Sequence, residues 1–156
     1  SMKKKLAIFI GSLLLLGCSN TQQTKVEDFF VENTQTYTGG FENAGYKVDS
    51  KVVELDGKKF LVEDTTDTAT TVQRVYYLDN DEILLLFTGE AQVADLSKLD
   101  TNSGEIVLKA PLVVGETWTS NGNSYEIISV TEDKVEVKKT FQSGVEKILN
   151  YRKKIK

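Results

Sequence analysis

The sequence predicts a mainly all-β domain, a curved antiparallel β-meander that is half-barrel or sandwich-like in form, with a short N-terminal helix. From residue 37 onward, short apolar or alternating stretches recur at regular spacing. Turn pairs such as Asp56-Gly57 and Asn121-Gly122 separate them, and both pairs are typical of tight hairpins. No helical period lies between the stretches, which argues against parallel βαβ units and favours an antiparallel sheet of eight or nine strands.

The predicted helix covers residues 25–33. Thr24 and Glu27 have the spacing of a capping box, and Val26, Phe29 and Phe30 fall on one helical face. We therefore expect the two phenylalanines to cover one end of a sheet.

The first strands lie on either side of Asp56-Gly57. A short strand over 36–38 precedes a longer one over 46–55, and the chain returns over 58–63. In the long strand, the apolar positions change parity at Val52-Val53. This change predicts a bulge or bend there, with Val53 and Leu55 on the inward face.

The most apolar hairpin pairs residues 72–78 with residues 82–88 through a turn at 79–81. Every residue from 83 to 87 is apolar, so both faces of this strand should be covered. We expect it to form the centre of the sheet. Alternation places Tyr76 and Tyr77 on opposite faces.

The remaining strands follow at short intervals. Leu96 and Leu99 are expected to pack a loop or a single helical turn before the next strand begins. The predicted segments are 105–109, the run 111–118, 124–131, 134–141 and 145–152, with turns at 121–122, 132–133 and 143–144.

Residues 2–18 have the organisation of a secretory leader. Three lysines (residues 3–5) precede an apolar run over 6–16, which is too short to span roughly 30 Å of hydrocarbon as a helix. The run ends in Leu15-Leu16-Gly17-Cys18. This ending resembles the lipobox of bacterial lipoproteins. The resemblance implies cleavage after Gly17 and attachment of a diacylglycerol to Cys18.

This interpretation divides the chain into three parts: a signal peptide over 1–17, a lipidated Cys18 with a polar tether over 18–24, and a single β-rich domain over 25–156. The alternative is an uncut N-terminal membrane helix in which Cys18 is an ordinary buried thiol. The short apolar run and the polar residues that follow Cys18 favour the leader.

Composition excludes several functions. Without residues 1–17 the chain carries 16 basic and 23 acidic residues, a net charge of −7 that disfavours nucleic-acid binding. It has no histidine, which removes Ser-His-Asp and Cys-His schemes and the commonest transition-metal ligand. Cys18 is the only cysteine, so no internal disulfide can form.

Three further segments resemble a family of small secreted or lipid-anchored bacterial proteins. They are F-E-N-A-G-Y at 41–46, R-V-Y-Y-L at 74–78 and E-I-V-L-K-A-P-L-V-V-G-E-T-W at 105–118. The family's G-x-x-N-x-x-x-Y segment is matched by Gly40 and Asn43, but Lys47 stands where its tyrosine is expected. Its P-L-x-x-G-x-x-W segment is matched through Trp118. The resemblance implies a β-rich fold and an envelope address, and it supplies no reaction.

The candidate ligand-binding residues are Trp118, Tyr125 and Tyr77, because aromatic rings supply much of the contact area in binding sites. The alternative for each is a place in the core. The acidic turn at 79–82 has oxygens that could bind Ca²⁺, but it is also what an exposed turn requires. We therefore expect no metal and no cofactor.

Taken together, these patterns predict a non-enzymatic, lipid-anchored protein of the cell envelope, held outside the cytoplasm by Cys18. Its expected partners are the membrane, through the anchor, and either a small apolar ligand or another envelope protein. Alternatives are a structural or interaction module, such as an adhesin or an accessory subunit, and a hydrolase with two catalytic carboxylates. The basic end over 152–156 would either attract an anionic surface or protect the last strand from edge pairing.

Overall fold

The computed structural model describes residues 25–37 and 45–153, which form two antiparallel sheets. The predicted leader, the lipidation site Cys18, the tether and the matched residues Gly40 and Asn43 lie outside the described residues.

The first sheet has six strands, each paired with its neighbour in the chain. They are β1 (Asn33–Tyr37), β2 (Tyr46–Leu55), β3 (Lys58–Thr66), β4 (Thr71–Leu78), β5 (Glu82–Gly89) and β6 (Glu105–Lys109).

The second sheet has four strands, in the order β10-β9-β8-β7. They are β7 (Thr117–Ser120), β8 (Asn123–Val130), β9 (Lys134–Thr140) and β10 (Glu146–Arg152). The mainly all-β, antiparallel prediction is confirmed, and the arrangement is sandwich-like.

Two hairpin turns have the backbone that their sequences predict. Asp56 and Gly57 have φ angles of 52° and 76°, and Asn121 and Gly122 have φ angles of 52° and 77°. Two successive positive φ angles define a type I′ turn, whose twist matches that of the flanking strands. These dipeptides therefore fix β2–β3 and β7–β8 as tight hairpins.

The main core lies between the two sheets. Its fully buried side chains come from the inner face of each sheet and include Leu61, Ile83, Leu108, Ile127, Val135 and Val137. A single 3₁₀ turn, Val26–Phe29, precedes β1 and adds Val26, Phe29 and Phe30 to this core. The carboxylate of Asp28 caps this turn by accepting a hydrogen bond from the backbone N–H of Lys25 (3.1 Å).

The predicted bulge at Val52-Val53 is wrong. The pairing of β2 with β3 runs without a register shift from Lys47 to Leu55. Val52 packs against the main core, whereas Val53 lies opposite Phe60 on the other face of the sheet. The apolar parity changes because both faces of the sheet are covered here, and the strand itself is regular.

The expectation that β5 forms the centre of the sheet is also wrong, because β5 is the fifth of six strands. Its two faces are nevertheless both buried. Ile83 faces the main core with no exposure, and Leu84 on the outer face is 7% exposed. An all-apolar strand therefore indicates two covered faces, and it does not give the position of the strand in the sheet.

The segment between β5 and β6 covers the outer face of the first sheet. The backbone N–H of Val93 donates to the side-chain oxygen of Gln73 on β4 (2.7 Å). A Cβ on Gly104 would come within 2.9 Å of Leu84 Cβ and 2.7 Å of Leu86 Cδ2, so this position has no room for a side chain. This cover explains why Phe60 and Val75 are buried although they face away from the second sheet.

Candidate functional site

The two sheets have four edge strands, and two of these edges are closed against each other. The indole N–H of Trp118 on β7 donates to the backbone oxygen of Ile106 on β6 (2.9 Å). The hydroxyl of Ser120 accepts a hydrogen bond from the backbone N–H of Ile106 (2.9 Å). Side chains of β7 thus satisfy backbone groups of β6 that would otherwise remain open at the sheet edge.

An ion pair strengthens the closed side. Lys139 on β9 lies 2.8 Å from the carboxylate of Glu105 on β6, and both side chains are only about one-sixth exposed. The ammonium group of Lys139 also lies over the ring of Phe141, 4.5 Å from its centroid. The ion pair connects β9 of the second sheet to β6 of the first at this edge.

The other two edges, β1 and β10, remain apart and border an open cleft. Its inner part is a cavity of about 220 Å³ between the sheets, and its outer part is a wider, more open groove of about 710 Å³. The two parts share Asn33, Gln35 and Tyr37 from β1 and Asn150 and Arg152 from β10. We call this region, with the residues that line both parts, the β1–β10 cleft.

Three aromatic rings lie at the inner end of the cleft. The ring of Phe30 lies 5.2 Å from that of Tyr76 and 5.4 Å from that of Tyr151, with tilted planes. Phe30 comes from the chain just after the 3₁₀ turn, Tyr76 from β4 and Tyr151 from β10. Three distant parts of the chain therefore meet at this inner end, which we call the floor of the cleft.

Both phenols at the floor are protonated at neutral pH. Burial, reinforced by the negative charge of Glu63, raises the pKa of Tyr76 well above its ordinary value of 10.0. Burial likewise raises the pKa of Tyr151, with smaller contributions from Tyr76, Glu105 and Glu63. The hydroxyl of Tyr151 lies 3.5 Å from the backbone oxygen of Val107. Both phenols at the floor are therefore buried and uncharged, and the Tyr151 hydroxyl is directed toward β6.

The charged groups of the inner cavity nearly balance. Glu63 on β3 contributes a carboxylate, and Arg152 contributes a guanidinium at the mouth. Glu63 also lies 3.8 Å from Arg74 of the neighbouring strand, an ion pair that is weakened because both side chains are partly exposed. The walls of the inner cavity therefore carry no strong excess of positive or negative charge.

The rim of the cleft is polar and aromatic. Tyr37 is 39% exposed and stacks on Tyr46, with ring centroids 4.6 Å apart. The Tyr37 hydroxyl donates to the side-chain oxygen of Gln35, which fixes the ring at the cleft mouth. Asn150 and Arg152 face these groups from β10. β1 itself carries no charge and no proline, which are the usual protections of an exposed edge.

The structure places two of the three predicted ligand-binding residues, Trp118 and Tyr125, against each other, where they also line an open groove of about 460 Å³ on the second sheet, and it separates both from Tyr77. Trp118 and Tyr125 lie in the core of the sandwich, stacked nearly parallel with centroids 5.2 Å apart. They are 7% and 1% exposed. Tyr77 lies on the outer face of the first sheet, where it contacts Phe60 at a centroid distance of 5.6 Å. None of the three lines the inner cavity or the outer groove.

The segment P-L-x-x-G-x-x-W, residues 111–118, joins the two sheets. Its glycine, Gly115, has a φ angle of +97° that a side chain would disfavour. The N–H of Gly115 donates to the backbone oxygen of Ile127 (2.8 Å). Trp118 then closes the β6 edge, so the motif serves the joining of the two sheets.

The acidic loops act as turns. Asp79 accepts a hydrogen bond from the backbone N–H of Asn80 (2.8 Å), and Asp67 accepts two from Ala69 and Thr70 (both 2.8 Å). The two hydrogen bonds hold the pKa of Asp67 below its usual value. Within residues 25–37 and 45–153, no three acidic, histidine or cysteine side chains are arranged to hold a metal ion.

No protein family, curated protein or solved structure matches this chain. In the part of the chain that the structure describes, no helix is long and apolar enough to cross a membrane.

No sequence pattern indicates that the residues of the β1–β10 cleft belong to one site. Asn33, Gln35 and Asn150 are ordinary polar residues, and the first two are separated from the third by more than a hundred positions. One signal was available: an uncharged, β-branched and aromatic strand, N-T-Q-T-Y, placed before the apolar part of the domain. Such a strand indicates an edge that something else covers.

Proposed function

We propose that this chain is a lipid-anchored, non-catalytic binding protein of the bacterial cell envelope, and that its ligand occupies the β1–β10 cleft. The leader over 2–18 and its terminal Cys18 support the anchor. Two acyl chains on one cysteine give stable membrane attachment, which a single chain would not. The domain would then work close to the membrane surface, and this closeness raises its effective concentration toward envelope ligands.

The observation that carries the binding proposal is the asymmetry of the sandwich. One pair of edges is closed by Trp118, Ser120 and an ion pair, whereas the other pair borders a cavity with aromatic and polar walls. Concave sites lined by rings and a few convergent polar groups are the usual form of ligand sites. The mixed lining suits a ligand with hydrogen-bonding groups better than a wholly apolar one.

A hydrolase with two catalytic carboxylates has less support. That mechanism requires two acids about 5–9 Å apart across the substrate. Among the residues that line the inner cavity, Glu63 alone carries a carboxylate, and no acid lines the outer groove.

An interaction module remains the second candidate, and one surface favours it. Val113 and Val114, in the connection between β6 and β7, are 51% and 63% exposed. Ile128 is 37% exposed, and the bond from Gly115 to Ile127 brings this part of β8 beside Val114. A small exposed apolar patch of this kind suits contact with a protein partner.

Two experiments test the proposal. Cys18→Ala should move the protein from the membrane fraction to the soluble fraction or leave it uncleaved, and Cys18→Ser should behave in the same way. A variant that fractionates and migrates like the parent would show that Cys18 carries no lipid. For binding, native mass spectrometry of the full chain purified from its own host should show added ligand mass, which Tyr37→Ala together with Asn150→Ala removes. Asn80→Ala, in the exposed turn between β4 and β5 and outside both surfaces, is the matched control.

A further inference from the structure

We infer that the β1–β10 cleft binds a neutral saccharide, with one pyranose ring in the inner cavity and further units along the outer groove. This inference rests on the proposed function, because it names the ligand class of the same cleft.

Size limits the occupant of the inner cavity. About 220 Å³ is the volume of roughly seven liquid water molecules, which is below the usual range for drug-sized ligands and suits a single sugar ring. The inner cavity opens directly into the outer groove, with which it shares five residues. A chain of sugar units can therefore leave the cavity through the mouth.

Charge disfavours an ionic ligand. An anion would meet the carboxylate of Glu63 at the inner end, and a cation would have to pass Arg152, with Lys153 beside it in the outer groove. Bringing a like charge into a partly desolvated site is costly, and the inner cavity, with Glu63 and Arg152 on its walls, does not strongly prefer either sign. A neutral ligand avoids both costs.

The polar groups match a polyhydroxylated ligand. Hydroxyls both donate and accept, and they need partners of both kinds. The amides of Asn33, Gln35 and Asn150 can do either, the guanidinium of Arg152 donates, and the Glu63 carboxylate accepts. The side chains of Tyr76 and Tyr151 also line the inner cavity.

The aromatic groups match the apolar faces of a sugar ring. Tyr37 lines both the cavity and the groove, is fixed by its contacts with Tyr46 and Gln35, and leaves part of its ring exposed at the mouth. An exposed and fixed ring offers flat contact area at little cost in conformational entropy. Phe30 supplies a second apolar wall inside.

The test uses the full isotope-labelled chain in detergent micelles and three probes: glucose, N-acetylglucosamine and the β-1,4-linked tetramer of N-acetylglucosamine. Amide NMR shifts should change for β1 and for residues 150–153, and they should stay unchanged for the turn at residues 79–81. At least one probe should bind, and its Kd should change less than twofold between low and physiological salt, as expected for a neutral ligand.

Variants then locate the site. Tyr37→Ala and Asn150→Ala should each weaken binding about tenfold, and Asn80→Ala, an exposed asparagine in the β4–β5 turn, should leave it unchanged. Circular dichroism should show the same fold for all three. Because the mapping on the unaltered protein needs no variant, a poorly folded variant does not remove the test.

Two outcomes would overturn the inference: no shift in the cleft with any of the three probes at millimolar concentration, or shifts confined to residues outside it. Native mass spectrometry separates this failure from failure of the proposed function. A lipid or a polypeptide that co-purifies with the host protein and is lost in the Tyr37 and Asn150 variants would leave the cleft a binding site and exclude the saccharide. Recovery of a bare monomer, together with no shift in the cleft, would overturn both.

Discussion

Removing the hydroxyl of Tyr125 should make the protein more stable. Tyr125 is 1% exposed and stacks on Trp118 in the main core. Among the described residues its hydroxyl has no hydrogen-bond partner. A buried polar group without a partner costs about 1–3 kcal/mol, because it gives up its bonds to water on folding. Tyr125→Phe keeps the ring and its stacking and removes this cost.

We expect Tyr125→Phe to raise the free energy of unfolding by about 1 kcal/mol, at the lower end of that range because the oxygen also makes packing contacts. For a domain of this size the gain corresponds to a rise in Tm of about 4 °C. Urea unfolding followed by the fluorescence of Trp118, the only tryptophan, measures the free energy of unfolding, and thermal unfolding followed by circular dichroism measures Tm.

The matched control is Tyr46→Phe. Tyr46 is 43% exposed, so the loss of its hydroxyl should change the free energy of unfolding by less than about 0.5 kcal/mol. If Tyr125→Phe instead lowered stability by more than about 0.5 kcal/mol, the Tyr125 hydroxyl would be contributing a hydrogen bond. The argument from an unpartnered group would then be refuted.

Three further predictions concern the closed side and the floor of the cleft. Trp118→Phe removes the indole bond to β6 and part of the buried ring, and should lower the free energy of unfolding by about 2–3 kcal/mol in urea denaturation followed by circular dichroism. Glu105→Gln should destabilise by about 1–3 kcal/mol because it leaves the largely buried Lys139 without its charge partner. Glu105→Gln combined with Lys139→Met should cost less than the sum of the two single changes, and additive losses would refute the coupling. Burial raises the pKa of Tyr76 and Tyr151, so their contribution to stability is fully present below the unfolded-state pKa of 10.0. This contribution is lost as the pH rises above 10.0, because the phenols ionise more easily in the unfolded chain than in the fold. Absorbance titration at alkaline pH should therefore show these two phenols ionising only as the protein unfolds, and the double Phe variant should unfold at a higher pH.

Most strands and turns could be predicted from the sequence because their causes are local. The strand over 46–55 and the strand over 105–109 have the predicted bounds, and the type I′ turns follow from Asp56-Gly57 and Asn121-Gly122. In each turn the second residue is glycine, which tolerates the positive φ angle that the turn needs. Such signals depend on a few adjacent residues and need no knowledge of the fold.

The predictions that failed depended on what covers each face. Val52 and Val53 are both half-buried because different layers cover the two sides of β2. The segment that covers the outer face lies between β5 and β6, far from β2 in the sequence. The spacing of apolar residues indicates which positions are buried. It does not indicate which part of the chain covers them.

The candidate site also combines residues that the sequence makes conspicuous with residues that only the fold brings together. Trp118 and Tyr125 are predicted as ligand-binding residues because aromatic rings supply contact area, and the structure buries most of both side chains. The cleft is built from polar residues that carry no pattern of their own. Its walls depend on how β10 of the second sheet comes to lie beside β1 of the first.

The sequence by itself determined the strands, their antiparallel hairpins and the exclusion of histidine-based chemistry, because these follow from local backbone preferences and from composition. The tertiary structure decided that the ten strands within residues 25–37 and 45–153 divide into two sheets, that β6 and β7 close one side, and that β1 and β10 border a cleft on the other. Those features depend on contacts between residues that are distant in the chain, such as the bond from Trp118 to Ile106. Such contacts form only when the two sheets pack face to face.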